Sequence, residues 1–148
     1  MTYSRFFTTP AGSALWAPEV PGLLLRFHGA LGLEQYQQLL NTGLEMYRRQ
    51  APPGGPATWI ADTRQLPELP AAARHWMVTE WNGRAYEAGL RHLRLVEVEN
   101  SYSLTQQLHE ATRQPAADGR LCLSQHESLS TAIRQAQKVA ATSSTAGK

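Results

Sequence analysis

The sequence predicts an α/β fold: a mixed, mostly parallel β-sheet with helices packed on it, in the order ββαβαβαβα. Three observations carry this prediction. Short β-type apolar runs alternate with longer stretches whose apolar residues recur every three or four positions. Strands that alternate with helices need crossover connections, and these favour parallel neighbours. Only the first two predicted strands are joined by a tight turn, so that pair alone is antiparallel.

The first strand runs near Ser13–Ala17, with Leu15 and Trp16 ahead of Pro18. The turn is Glu19-Val20-Pro21-Gly22. Pro followed by Gly predicts a type II turn, in which Pro presets φ and Gly takes the positive φ. The second strand, near Leu23–His28, is almost continuously apolar and therefore more buried. Leu33, Tyr36, Leu40, Leu44 and Tyr47 then form one stripe on an amphipathic helix. That helix stops at Ala51-Pro52-Pro53-Gly54-Gly55-Pro56, a run that cannot continue it. Thr58–Asp62 is the third strand.

Pro67 and Pro70 bracket the next turn, and Pro70 suits a first helical position. At 100° per residue, Ala73, Met77, Trp81, Ala85 and Ala88 form the inner stripe of a helix that ends at Gly89, a good C′ residue. Trp76 falls to one side, beside Glu80 and Glu87, and is expected to be half exposed. Leu90–Val98 is the fourth strand. Ser101 or Ser103 caps a helix over Leu104–Arg113, and Pro115–Gly119 is a loop. Arg120–Ser124 is a fifth strand. The last helix starts near His126 or Ser128 and reaches Ala140, with Leu129, Ala132, Ile133, Ala136 and Val139 on one side. Residues 1–140 read as a single domain, and 141–148 as a small, polar, disordered tail.

Composition narrows the function classes. A chain of 148 residues buries a real core without staples. Fourteen basic residues against twelve acidic ones leave a net charge of +2, with no basic stripe interleaved with aromatics. That argues against nucleic acid. Cys122 is the single cysteine, which excludes an internal disulfide and a Cys-rich metal site. Between Leu121 and Leu123 it reads as a packed thiol. The N-terminus lacks the apolar core of a signal peptide, and no apolar run reaches membrane-spanning length. The expectation is a cytoplasmic protein without a membrane span.

Motifs of known chemistry are missing: G-x-S-x-G, G-x-G-x-x-G, a Walker-type loop and H-E-x-x-H do not occur. His75, His92, His109 and His126 sit on separate elements without ligand spacing. No metal and no cofactor are expected.

Parallel strands share one carboxyl edge, where polar functional groups gather in open α/β sheets. That edge collects His28 and Gly29, then Asp62, Thr63 and Arg64, then Glu99, Asn100, Ser101 and Tyr102. Asp62 and Arg64 can pair with each other or cap helix ends. Thr63 is either a phosphoryl acceptor or a plain turn hydroxyl. His28 is either a ligand or base, or a hydrogen-bonded strand-end histidine. Arg84 lies near the inner stripe of its helix, where a charge needs a partner. Glu80, four residues earlier, and Asp62 are the two candidates, with a ligand-binding arginine as the functional reading. Trp76 either joins an interface or bridges to a neighbouring helix.

The order of elements, with Trp59-Ile60-Ala61-Asp62-Thr63-Arg64, resembles the STAS domain of anti-sigma-factor antagonists and sulfate-transporter tails. More closely it is similar to small bacterial STAS/SEC14-like proteins of the Bacteroidetes type, which read W-[LI]-A-D-x-R followed by W-x4-W-x2-R-A-x2-A-G-L. Trp76, Trp81, Arg84, Ala85, Ala88, Gly89 and Leu90 match the second motif. The resemblance covers most of Leu15–Ala136.

It implies a binding or switch module without catalysis. Asp62-Thr63 resembles the Asp-Ser or Asp-Thr switch of the phosphorylated antagonists, although Arg64-Gln65-Leu66-Pro67 replaces their small, Gly-containing helix start. Arg94 and Glu97 stand where more apolar residues are usual, so one face of that strand is solvated or meets a partner. The resulting expectation is a signalling module that binds a protein partner through Asp62, Thr63, Arg64, His28 and Asn100, with Trp76, Glu80 and Arg84 on the adjoining helix. One alternative is a carrier of a small ligand, lipid or nucleotide, in a pocket walled by Trp59, Trp76 and Trp81. Another is an enzyme of unknown reaction using Asp62, Arg64 and His28. The oligomeric state stays open.

Overall fold

Alternation along Leu23-Leu24-Leu25 sends successive side chains to opposite faces of a sheet, so a strand this apolar needs helices on both. The computed structural model describes residues 3–52, 57–66, 70–96 and 122–146 and supplies them. The elements are β1 (Arg5–Thr9), β2 (Gly12–Ala17), β3 (Gly22–Phe27), α1 (Leu33–Gln50), β4 (Thr58–Asp62), α2 (Ala71–Trp76), a π-helical turn (Met77–Trp81), α3 (Asn82–Glu87), β5 (His92–Val96), β6 (Cys122–His126) and α4 (Leu129–Ala146). The predicted helix over Leu104–Arg113 lies outside the described residues.

The fold is mixed α/β with one six-stranded sheet in the order β1-β2-β3-β4-β5-β6. The pairs β1–β2 and β2–β3 are antiparallel, and β3–β4, β4–β5 and β5–β6 are parallel. Leu23, Leu25, Trp59, Ala61, Leu93 and Leu95 face α1 and the α2–α3 helix in the larger core. Leu24, Ile60 and Val96 face Ala132 and Ala136 of α4 in the smaller one. Two crossovers of one hand that step the same way across a sheet must share a face, which is why α1 and α2–α3 lie together.

β1 was not expected. Only one edge of it is paired, and Phe6 is 67% exposed. A strand with so little burial carries no apolar alternation to read. The β2–β3 turn also differs from expectation. The Val20 N–H donates to the Ala17 carbonyl, and Gly22 already belongs to β3 without a positive φ. β6 runs on to His126, past its predicted end at Ser124, and α4 runs on to Ala146, past its predicted end at Ala140. The Ser128 hydroxyl caps α4 by accepting from the Thr131 N–H at 3.1 Å.

The helix after Pro70 holds the main departure. A straight α-helix sets Trp76 and Trp81 about 140° apart. The π-turn between them adds residues to one turn, and both rings go inside. Trp76 is 7% exposed and meets Tyr36 edge-on at 6.3 Å. Trp81 meets Trp59 edge-on at 5.2 Å and donates its indole N–H to the Leu40 carbonyl. Each such burial contributes about 2–3 kcal/mol. The half-exposed Trp76 expected from the sequence is therefore corrected to a core residue. At the far end, the predicted C′ role of Gly89 holds: its φ is 103°, its N–H meets the Tyr86 carbonyl and the Leu90 N–H meets the Ala85 carbonyl.

Candidate functional site

The carboxyl ends of β3, β4 and β5 come together. The Gly29 N–H donates to the Gln65 carbonyl at 3.0 Å, joining the loops that follow β3 and β4. The Thr63 N–H and hydroxyl both donate to the carbonyl of Val96, the last residue of β5. His28 is exposed on this rim, and its backbone N–H meets the Ala11 carbonyl. Asn100 lies outside the described residues.

Asp62 is the centre of the rim. Arg26 is its register partner on β3, so both side chains leave the sheet on one face. The Asp62 carboxylate is 7% exposed as a residue and accepts from Arg64 Nε at 2.9 Å and Nη2 at 2.6 Å, with Arg26 Nε at 3.9 Å. Burial alone would raise its pKa. The hydrogen bonds from Arg64 and the charges of Arg64 and Arg26 outweigh that and hold it below the ordinary carboxylate value. The Asp62 hydrogen bond in turn raises the pKa of Arg64. A carboxylate this committed is a poor general base. What the rim offers outward is two half-exposed guanidinium groups sharing one carboxylate.

Other expected roles change. Thr63 is 2% exposed and its hydroxyl is occupied, so it is a turn hydroxyl in this conformation. Arg84 forms no ion pair with Glu80 or Asp62. Its Nη2 donates to Asn41 Oδ1 at 3.0 Å, and its guanidinium lies 6.0 Å from the Trp76 ring. Glu80 lies within the π-turn and is exposed, while Arg84, in the following turn of helix, reaches across to α1. The space walled by Trp59, Trp81 and Tyr36 is about 30 Å³. That admits a water and not a lipid or nucleotide, and Trp76 packs elsewhere.

A second polar group lies on the α4 face, where the sequence had marked Arg94 alone. β5 and β6 pair Arg94 with Ser124 and Val96 with His126. Because Val96 faces α4, alternation puts His92, Arg94, Ser124 and His126 on that face too. The Ser124 hydroxyl stands 2.9 Å from His92 Nε2 and 3.0 Å from His126 Nε2. Arg94 Nη1 stands 3.4 Å from His126 Nε2. Arg94 is 5% exposed, so of the two expectations for this face, solvated or meeting a partner, the solvated one is corrected at Arg94: α4 packs on that face.

Burial lowers the pKa of His92, with Arg94 and His126 adding to the shift. Burial and then Arg94 lower that of His126, and burial lowers that of Arg94. The only sequence signal was a charge at an inward position of an alternating strand. The histidine pair depends on strand adjacency, which spacing does not reveal.

Among the described residues, no three His, Cys, Asp or Glu side chains converge to hold a metal, and no helix is long and apolar enough to cross a membrane. No family model matches the sequence, and a search of curated proteins finds no match.

Proposed function

We propose that the chain is a non-catalytic, STAS-like interaction module of bacterial cytoplasmic signalling that binds an acidic segment of a protein partner at the strand-end rim. The observation that carries this reading is the Arg26–Asp62–Arg64 group: one carboxylate grips the Arg64 guanidinium and lies 3.9 Å from Arg26 Nε, and both arginine side chains stay half exposed. Arg groups held in this way recognise carboxylates with defined geometry. Asp62 supports the site and is not its reactive group. Thr63 serves here as a turn hydroxyl and not as a phosphoryl acceptor, because its hydroxyl is buried and bonded to Val96.

The test is affinity capture from host lysate on immobilised protein, compared at low and high salt. A partner retained by the wild type and lost both in high salt and on Arg64→Ala supports the reading. Equal retention by wild type and Arg64→Ala overturns it. Loss on Phe6→Ser alone would move the docking surface to the open edge of β1.

A further inference from the structure

The geometry points to a second site, independent of the rim and of its partner: a cleft between α4 and the amino ends of β4 and β5 that binds a small phosphate-type oxyanion carried on a compact apolar body. The cleft holds about 320 Å³. Arg94, Thr58 and His92 are among its polar lining, and Ala136 and Val139 supply an apolar wall from α4.

Arg94 is 5% exposed, yet no carboxylate pairs with it among the described residues. Among those residues its side chain meets the ring of His126, and its Nε has no hydrogen-bond partner. A buried cation without a counter-charge is costly, and the cost is removed when an anion enters.

A second, separate orphan lies on the next strand. Thr58 is buried and its hydroxyl has no partner, although it lines the same cleft. Ile60 pairs with Arg94 across β4 and β5, so Thr58, two residues before Ile60, shares the face of Arg94. Two unsatisfied polar groups on neighbouring strands, both on residues that line one cleft, are the mark of a site made for a ligand that carries acceptors.

The charge balance sets the sign of the ligand. None of the residues lining the cleft is acidic. Arg91 also lines the cleft, but its guanidinium is engaged at Tyr86, 3.6 Å over that ring and donating to the Tyr86 and Leu90 carbonyls at 2.7 and 2.9 Å. The Arg94 guanidinium, a hydroxyl and an imidazole together offer more donors than a single carboxylate accepts, which favours a tetrahedral oxyanion. The volume exceeds what a bare oxyanion fills, and the Ala136–Val139 wall suits an apolar group attached to it.

The test uses the full chain and three probes: phenyl phosphate, inorganic phosphate and phenol. Binding is read by calorimetry and by the imidazole resonances of His92 and His126. Phenyl phosphate is expected to bind saturably at one site and to move both imidazole signals. Inorganic phosphate is expected to bind more weakly, and phenol not at all. Arg94→Met is expected to weaken phenyl phosphate binding about tenfold or more.

Thr58→Val guards against misfolding of that variant. It removes an orphan hydroxyl, so the thermal midpoint should hold or rise while affinity falls severalfold. Absence of saturable phenyl phosphate binding overturns the site, as does unchanged affinity in either variant. Equal affinity for phosphate and phenyl phosphate overturns the apolar body of the ligand.

Discussion

Arg64 grips Asp62 with two edges of its guanidinium, Nε on one carboxylate oxygen and Nη2 on the other, across a single intervening residue. The backbone N–H of Arg64 also donates to Asp62 at 3.2 Å. The turn is thus closed by side chain and main chain together. Because Arg64 is half exposed, solvent screens the pair, and Arg64→Ala should cost about 1 kcal/mol. The pH dependence has a definite sign. The folded carboxyl titrates below its ordinary value of 3.8, so its stabilisation is complete above that value and is lost as pH falls through the folded one. Urea midpoints across the acid range should show the Arg64→Ala protein unfolding at higher pH than the wild type. Coincident acid limbs would mean that the pair contributes nothing.

Thr63 makes a sharper test of the turn. Its hydroxyl and its N–H converge on one carbonyl, that of Val96, and tie the ends of β4 and β5 together. Thr63→Val keeps the shape and removes the donor, at an expected cost of about 1 kcal/mol. For the same reason a kinase should not reach the hydroxyl in the folded protein. Intact-mass measurement after incubation with native lysate and ATP should show no phosphate on Thr63. A phosphate that disappears in Thr63→Val would show that the turn opens under native conditions.

The parts legible in the sequence were those whose burial repeats. Tyr36, Leu40, Leu44 and Tyr47 revealed α1, and the runs at Leu23 and Thr58 revealed β3 and β4, because each presents a regular apolar pattern to one core. β1 buries too little to leave a pattern. The π-turn changes the angular step within a helix, so a fixed 100° wheel misplaced Trp76 and the partner of Arg84. The placing of His28 and of Asp62–Arg64 at neighbouring strand ends could be read because each follows its strand directly, while Asn100 lies outside the described residues. The α4-facing cluster could not, since Ser124 lies 32 positions from His92 and meets it only through the pairing of β5 with β6.

That cluster predicts a pH response. His92 and His126 both titrate below the ordinary 6.5 in the folded protein. Between the folded values and 6.5 the unfolded chain therefore binds more protons, so stability rises with pH through that window and is complete above it. Acidification from about pH 7.5 to pH 5.5, in a buffer free of phosphate, should lower the denaturant midpoint. The double variant His92→Gln, His126→Gln keeps polar partners for Ser124 and should lose less over the same range. Parallel decline of the two proteins would assign the response to other groups.

Two glycines in helices should respond to alanine with opposite signs. Gly43 faces the sheet from the middle of α1, and a Cβ there would stand 2.8 Å from Trp59 Cη2 and 3.0 Å from Leu23 Cδ2. Trp59 has no room to yield, because Trp81 packs against it at 5.2 Å. Gly43→Ala must therefore lift α1 or displace the indole, at an expected cost of about 1–3 kcal/mol. Gly83 lies in α3 with nothing within 4 Å of the same added atom. Gly83→Ala only restrains the unfolded chain and should stabilise by about 0.4–1 kcal/mol. Urea melts of the two variants beside the wild type measure both. A Gly43→Ala protein as stable as the wild type would show that α1 does not rest on Trp59 as closely as these distances require.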